Sequence, residues 1–367
     1  MKNVVCGLLG LYLFCVLVFV LSGCSGDGGS TATGTAKVSK YAYVANAGTG
    51  NLSLYTVDAG GGSLTPMTPA TVTAGTYPNF VTVDPSGKYA YVANANSNTV
   101  SQYTIGADGS LTPMTPATVA TGLYPRLITV DPSGKYAYVA NANSNTVSQY
   151  TIGADGTLTA MTPATVTTAD SPSSITIDPL GRYAYVTIIN NDDIIVYSVS
   201  ANGSLVAVPS AVLVIWRSPI SLALDPSGKY AYVVNYYANN VSQYTIKADG
   251  TLTSAPVAVA AGTNPNSLTV DPSGKYVYVT NSGSNNVSQY TIGTNGNLTA
   301  MNPPTVATGA YPLSITVEAS GKHVYVVNRA SNDVSQYTIG ENGTLTAMTP
   351  ATIPAGNNPY SIAIVAK

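Results

Sequence analysis

The chain has 367 residues, of which 8% are charged, and a formal net charge of −2. Ordinary globular proteins carry about 25% charged residues, so this surface has to be covered by Asn, Ser, Thr and Gly. No run of Lys or Arg exists that could track phosphates, which excludes nucleic-acid partners.

In chain order, the first segment is a targeting signal. Lys2 supplies a positive start, Val4 to Leu21 is nearly all apolar, and Leu21-Ser22-Gly23 places small residues before Cys24. That order predicts a signal peptide over 1–23. The last four residues resemble a bacterial lipobox, which implies cleavage before Cys24 and a lipid on its sulfur. The alternative is an uncleaved anchor, because 18 apolar residues could just span a bilayer. Either form ties the domain to a membrane outside the cytosol. The expected location is the bacterial cell envelope, and Ser25 after the cysteine favours the outer membrane. Cys6 and Cys15 lie in the signal, so the mature chain keeps one cysteine and cannot form an internal disulfide. Residues 24–39, rich in Gly, Ser and Thr, read as a flexible tether of about 20 Å mean span.

From residue 40 to 367 one phrase repeats. Tyr41-Ala42-Tyr43-Val44 returns near Tyr89, Tyr136, Tyr183, Tyr230, Tyr276 and His323, at steps of 48, 47, 47, 47, 46 and 47 residues. A fixed period of this size marks a repeat architecture. The unit from Phe80 to Pro125 parses into four strands. Strand A covers Phe80 to Val83, and Asp84-Pro85-Ser86-Gly87 has the residues of a tight turn. Strand B covers Lys88 to Ala93, strand C Thr99 to Ile105, and strand D Leu111 to about Val119. An Ala107-Asp108-Gly109 hairpin signal separates the last two. Four short strands per unit, repeated seven times, predict an all-β, seven-bladed β-propeller with four antiparallel strands per blade. The first unit lacks strand A, while Ser361 to Val365 looks like a strand A with no blade after it. The C-terminal strand is therefore expected to join the first blade and close the ring.

Tyr278-Val279-Thr280-Asn281 is the signature of the YVTN β-propeller repeat, and Tyr91-Val92-Ala93-Asn94 is a close variant. The chain resembles that family over about residues 38 to 366, and through it the lactonase-type and surface-layer propellers. The resemblance implies a seven-bladed ring and, on its lactonase side, hydrolysis of lactones of the 6-phosphogluconolactone type. A WD40 reading fails, because no Gly-His…Trp-Asp pattern occurs and the only tryptophan is Trp216.

Near-identical blades announce function where they differ. Asp84 to Gly109 and Asp131 to Gly156 are identical over 26 residues, so neither can hold a unique centre. Removing the tyrosines that the repeat explains leaves Tyr77, Tyr124, Tyr236, Tyr237, Tyr311 and Tyr360, joined by Trp216. Removing the repeat's charges leaves Asp170, Asp192, Asp193 and Asp333 with Arg126, Arg217 and Arg329. All fall where D–A connections and B–C loops form one rim, the mouth of the central channel, and loops held by a rigid scaffold commonly carry function. His323, the only histidine, takes a strand B tyrosine position and reads as a packed residue rather than a base. Asp192 and Asp193 beside Asp170 could meet a hard cation, but without ligand spacing they read as a solvated loop. No metal or cofactor is expected.

Two functions follow. The first is a lipid-anchored, monomeric binding or scaffold module whose rim aromatics Tyr77, Tyr124, Trp216, Tyr236, Tyr237, Tyr311 and Tyr360, with Arg126 and Arg217, take a glycan or an envelope protein. The alternative is an extracytoplasmic lactonase. There Arg126 and Arg217 would stabilise the oxyanion, and Asp170, Asp192 or Asp193 would act as the base.

Overall fold

The computed structural model describes residues 39–214, 218–253 and 258–367. The signal segment, Cys24, the tether before Ser39, Trp216 and Arg217 lie outside the described residues. What is described forms seven four-stranded antiparallel sheets, a seven-bladed all-β propeller. We number the blades from the one that holds both chain ends and letter the strands from the channel outward. Blade 3 is typical, with strands Pro125–Val130, Tyr136–Asn141, Thr146–Ile152 and Leu158–Thr167.

The ring closes as expected. Strand Pro359–Ala366 pairs antiparallel with Lys40–Asn46, setting Ala363 opposite Tyr43. Ser39 and Lys367 exchange backbone hydrogen bonds of 3.1 and 2.7 Å at the end of that ladder. The hydroxyl of Ser361 also accepts the amide of Val81 in blade 2 at 2.9 Å.

Each recurring residue has a physical task. In the turn after strand A, the Asp84 carboxylate accepts the backbone amides of Ser86, Lys88 and Tyr89 at 3.0, 2.8 and 2.7 Å, which fixes the Asp-Pro-Ser-Gly-Lys bend. The second strand B tyrosine of each blade is buried and needs an acceptor. It finds one in the C–D turn of the next blade: Tyr43 donates to the Gly109 carbonyl at 2.7 Å and Tyr91 to that of Gly156 at 2.6 Å. Burial holds both phenols well above the ordinary tyrosine range. The turn residue must be glycine on two counts. Gly109 has φ +77°, and a Cβ there would stand 2.2 Å from the Tyr41 ring. The strand C glutamine ties blades as well, with Gln102 accepting the Leu158 amide of blade 3 at 2.6 Å.

The apolar core lies between blades rather than within one. A representative cluster joins Tyr91 and Val100 of blade 2 to Val139 and Tyr150 of blade 3. His323 is buried in its tyrosine slot at the junction of blades 7 and 1, its ring 2.8 Å from a Glu318 carboxylate oxygen. Both roles are structural and lie on the face opposite the channel mouth.

Candidate functional site at the channel mouth

The rim is built in tiers by three positions of the repeat. The outermost is the residue before the strand A proline. Tyr77, Tyr124 and Tyr311 hold it with φ of 59°, 57° and 59°, and the equivalent Ser171, Ser218, Asn264 and Asn358 are also left-handed. Side-chain-bearing residues seldom adopt this conformation, least of all before proline. Two hydrogen bonds enforce it. The Tyr124 amide donates to Asn98 Oδ1 of the preceding blade at 2.8 Å. The Tyr124 carbonyl accepts the Ala142 amide at 3.0 Å.

The second tier is the first residue of each B–C loop, which is Ile189 in blade 4, Tyr236 in blade 5 and Arg329 in blade 7. The third is the residue after the strand A proline. It is Tyr360, Asn79 and Arg126 in blades 1 to 3, Ser173 and Ile220 in blades 4 and 5, and Asn266 and Leu313 in blades 6 and 7. These tiers surround two connected levels of a funnel. A mouth cavity of about 270 Å³ is lined by Arg126, Ile189, Ile220, Tyr236, Tyr311 and Arg329, among others. A throat of about 100 Å³ lies below it, where Asn79, Arg126, Ser173, Asn266 and Tyr360 meet. A larger hollow, about 570 Å³, lies between blades 5 and 6, but no charged side chain lines it among the described residues. The funnel is the better site, because that is where the blades' differences collect.

The funnel's electrostatics are one-sided. No carboxylate lines either level among the described residues. The Arg329 guanidinium carbon stands 5.2 Å from the centroid of the Tyr360 ring, and its Nη2 is 3.4 Å from the Tyr77 hydroxyl. Tyr77 and Tyr360 pack with centroids 5.8 Å apart. Burial, then the neighbouring Tyr77, pushes the Tyr360 phenol up to about 12 even though Arg329 pulls it down. Across the mouth, burial and then Tyr311 raise the Tyr236 phenol. Tyr237, 75% exposed, meets Tyr236 edge-on. Arg126 has no ion pair or hydrogen bond among the described residues, so its guanidinium is uncommitted. The side-chain oxygen of Asn79 is buried and likewise without a partner.

The residues expected from the sequence divide accordingly. Arg126, Tyr236, Tyr237, Tyr311 and Tyr360 line the mouth cavity. Tyr77 adjoins it through Arg329 and Tyr360, and Tyr124 stands on the lip near Tyr360. The carboxylates stand apart. Asp170 is exposed and accepts Asn190 Nδ2 at 3.2 Å. Asp192 is not outside the repeat after all. It has φ 57° and accepts the Ser218 amide at 2.6 Å, the task of Asn98 elsewhere. Asp333 also has a repeat role, accepting Asn328 Nδ2 at 2.7 Å. Asp193 is buried rather than solvated, and burial, then Asp192, raises its pKa. Arg126 makes no ion pair with any of these carboxylates among the described residues, and Arg217 lies outside them. Asn79, Ser173, Ile220, Asn266 and Leu313 were missed. Aligning the units on the strand A proline would have exposed them as one variable column.

Comparison with known proteins fits this ring. A family profile described as "Lactonase, 7-bladed beta-propeller" matches residues 22–115, 99–263 and 216–310 in overlapping windows. No curated protein sequence matches. Among solved structures, a Bacteroides fragilis protein provisionally assigned as a 6-phosphogluconolactonase superposes with TM-score 0.78 at 21% identity, over 92% of this chain and 100% of its own. A Bacteroides uniformis protein with the same provisional assignment gives 0.77 at 19%, over 90% and 100%. The Pseudomonas aeruginosa periplasmic gluconolactonase PpgL gives 0.73 at 17%, over 89% and 99%. At such identities these likenesses establish the fold. The family profile covers well over half of the residues, and on that ground the chain belongs to the lactonase seven-bladed β-propeller family.

Proposed function

We propose that this protein is a lactone hydrolase whose active site is the channel mouth. The observation that carries the reading is Arg126, an unpaired guanidinium in a funnel with no carboxylate among its described lining residues. Family membership weighs for hydrolysis over the glycan- or protein-binding module that the rim aromatics alone suggest. Lactone hydrolysis adds water to the ester carbonyl, passes through a tetrahedral oxyanion, breaks the ring C–O bond and releases a hydroxy acid. A fixed cation where the oxyanion forms is the largest single aid such a site can offer. Tyr236 and Tyr360, whose phenols are raised, remain protonated near neutral pH. They are suited to donate to the oxyanion or the leaving alkoxide and not to take a proton from water. The proposal thus gives the site an electrophilic mechanism, in which the carbonyl is polarised, water attacks without a carboxylate base and releases its proton to solvent, and the leaving alkoxide takes one from a tyrosine or from solvent.

The proposal also puts the enzyme in the cell envelope, held by a lipid on Cys24, on the strength of the Leu21 to Cys24 sequence. Two measurements test it. The purified protein should open a panel of lactones above their spontaneous rates, and a folded protein with no turnover overturns the hydrolase reading. Wild-type protein should sediment with membranes and Cys24→Ser should not; wild type in the soluble fraction overturns the anchor.

A further inference from the structure

The lining of the mouth cavity mixes charged, aromatic and aliphatic groups, with Arg126 and Arg329 both present. Arg126 stands on blade 3. Blades 4, 5 and 7 supply Ile189, Ile220 and Leu313, with the rings of Tyr236 and Tyr311 between them. The fold does not demand these aliphatic groups. The backbone position held by Ile220 and Leu313 carries Asn79, Ser173 and Asn266 in other blades. Ile220 packs against the core between blades 5 and 6, which holds it still while it lines both levels of the funnel. Leu313 is buried, while Ile189 and Ile220 are half-buried and leave apolar surface in the mouth that a ligand can cover. A hydroxyl pressed on Ile189 or Ile220 would lose water and gain no partner from those side chains. An aliphatic group would displace the same water at no polar cost.

Resting on the hydrolase reading above, we infer that the substrate is a lactone with an aliphatic arm. Its carbonyl lies toward Arg126, and its arm lies on Ile189, Ile220 and Leu313. The mouth cavity, about 270 Å³, has room for a small lactone ring with a short chain. Water adds to the carbonyl, the acyl C–O bond of the ring breaks, the ring oxygen ends protonated as the hydroxyl, and the arm stays attached to the hydroxy acid.

The test compares kcat/KM of the full-length protein for γ-butyrolactone, γ-octalactone, γ-decalactone and glucono-δ-lactone. The armed γ-lactones should exceed γ-butyrolactone by at least about tenfold, since a few methylenes in an apolar pocket give discrimination of that order. In Ile220→Asn/Leu313→Asn that ratio should fall toward one. Asparagine already occupies this position in blades 2 and 6, and melting temperature will show whether the variant has folded. If it has not, the wild-type series decides alone. Turnover of γ-butyrolactone or glucono-δ-lactone with no gain from the arm overturns this inference and leaves the hydrolase. No turnover of any of the four by folded protein overturns both.

Discussion

Asp193 sits directly across its sheet from Ile188, and its Oδ1 is buried without a partner. In blade 7 the same pair is Asp333 and Asn328, and the asparagine donates to the carboxylate at 2.7 Å. That asparagine belongs to a unit of three. Asn94 donates to Ser101 at 2.9 Å, and its Oδ1 accepts the Gly75 amide at 3.1 Å. Blade 4 has exchanged the whole unit for Ile188, Ile195 and Ala169, which share one apolar cluster. Asp193 is the acceptor left behind.

Its raised pKa sets the sign of a pH effect. Between the ordinary aspartate pKa and the higher folded value, the native state holds more protons than the unfolded chain. Stability from this residue is therefore greatest in acid and declines as pH rises through the folded pKa. Asp193→Asn should stabilise the protein at pH 7 by about 1 kcal/mol, because the amide removes a charge that burial disfavours. The gain should shrink toward pH 4, as melting curves across that range will show. A gain that does not depend on pH would mean that the carboxyl is already neutral or solvated.

Restoring the amide by itself should fail. A Cβ at Gly75 would come within 2.6 Å of the Asn94 side chain, and Ala169 carries that carbon in blade 4. Ile188→Asn alone should lower the melting temperature, whereas Ile188→Asn with Ala169→Gly and Ile195→Ser should recover it. Equal effects of the single and triple changes would refute the unit.

At the mouth, Arg126→Ala should cut kcat/KM for a hydrolysed lactone by about 10²–10³, the usual cost of losing an oxyanion partner. Because the guanidinium has no partner within the described protein, melting should be almost unchanged. Arg126→Lys keeps the charge but not the planar fork and should recover part of the rate. A loss of activity that merely tracks a loss of folded protein would show Arg126 to be a packing residue.

The pH–rate profile separates an electrophilic site from one with a carboxylate base. With no Asp or Glu among the described lining residues, kcat/KM should lack an inflection between pH 4 and 6, the range in which such a base would titrate. Tyr360, raised to about 12, remains a donor, so activity should not fall between pH 8 and 10. A bell with an acid limb near 5 would instead point to a carboxylate base.

The fold was legible because each repeated residue answers one local demand: Asp84 caps a turn, Tyr43 needs an acceptor in the next blade, and Gly109 must yield to a ring. Strand C of blade 2 runs from Thr99 to Ile105, the bounds expected from the sequence, while strand A starts two residues early, at Pro78. The site was half legible. Sorting leftovers by residue type found Arg126, Tyr236 and Tyr360. It also mistook Asp192 and Asp333 for outliers, although Asp, Asn and Thr can all supply the acceptor oxygen that those positions require. The same sorting passed over Ile220 and Leu313, whose significance lies in their column and not in their chemistry.

The last test concerns the seam between blades 7 and 1. Glu318 replaces the turn aspartate there and, instead of serving its own turn alone, reaches Lys40 across the blade boundary as well as Ser320 and His323. Burial works to raise its pKa, but these donors together hold it below the ordinary value. Its contribution is therefore present above the unfolded glutamate pKa and lost as pH falls through the lower folded value, the reverse of Asp193. Lys40→Met leaves the carboxylate buried with its cation gone, and breaking such a pair costs about 3 kcal/mol or more. Lys40→Met combined with Glu318→Gln removes both charges and should recover most of that loss, because the amide can still bond Ser320 and His323. The four melting temperatures form a double-mutant cycle. Additive losses would mean that Lys40 and Glu318 do not interact and that the closing strand, Pro359–Ala366, holds the seam without them.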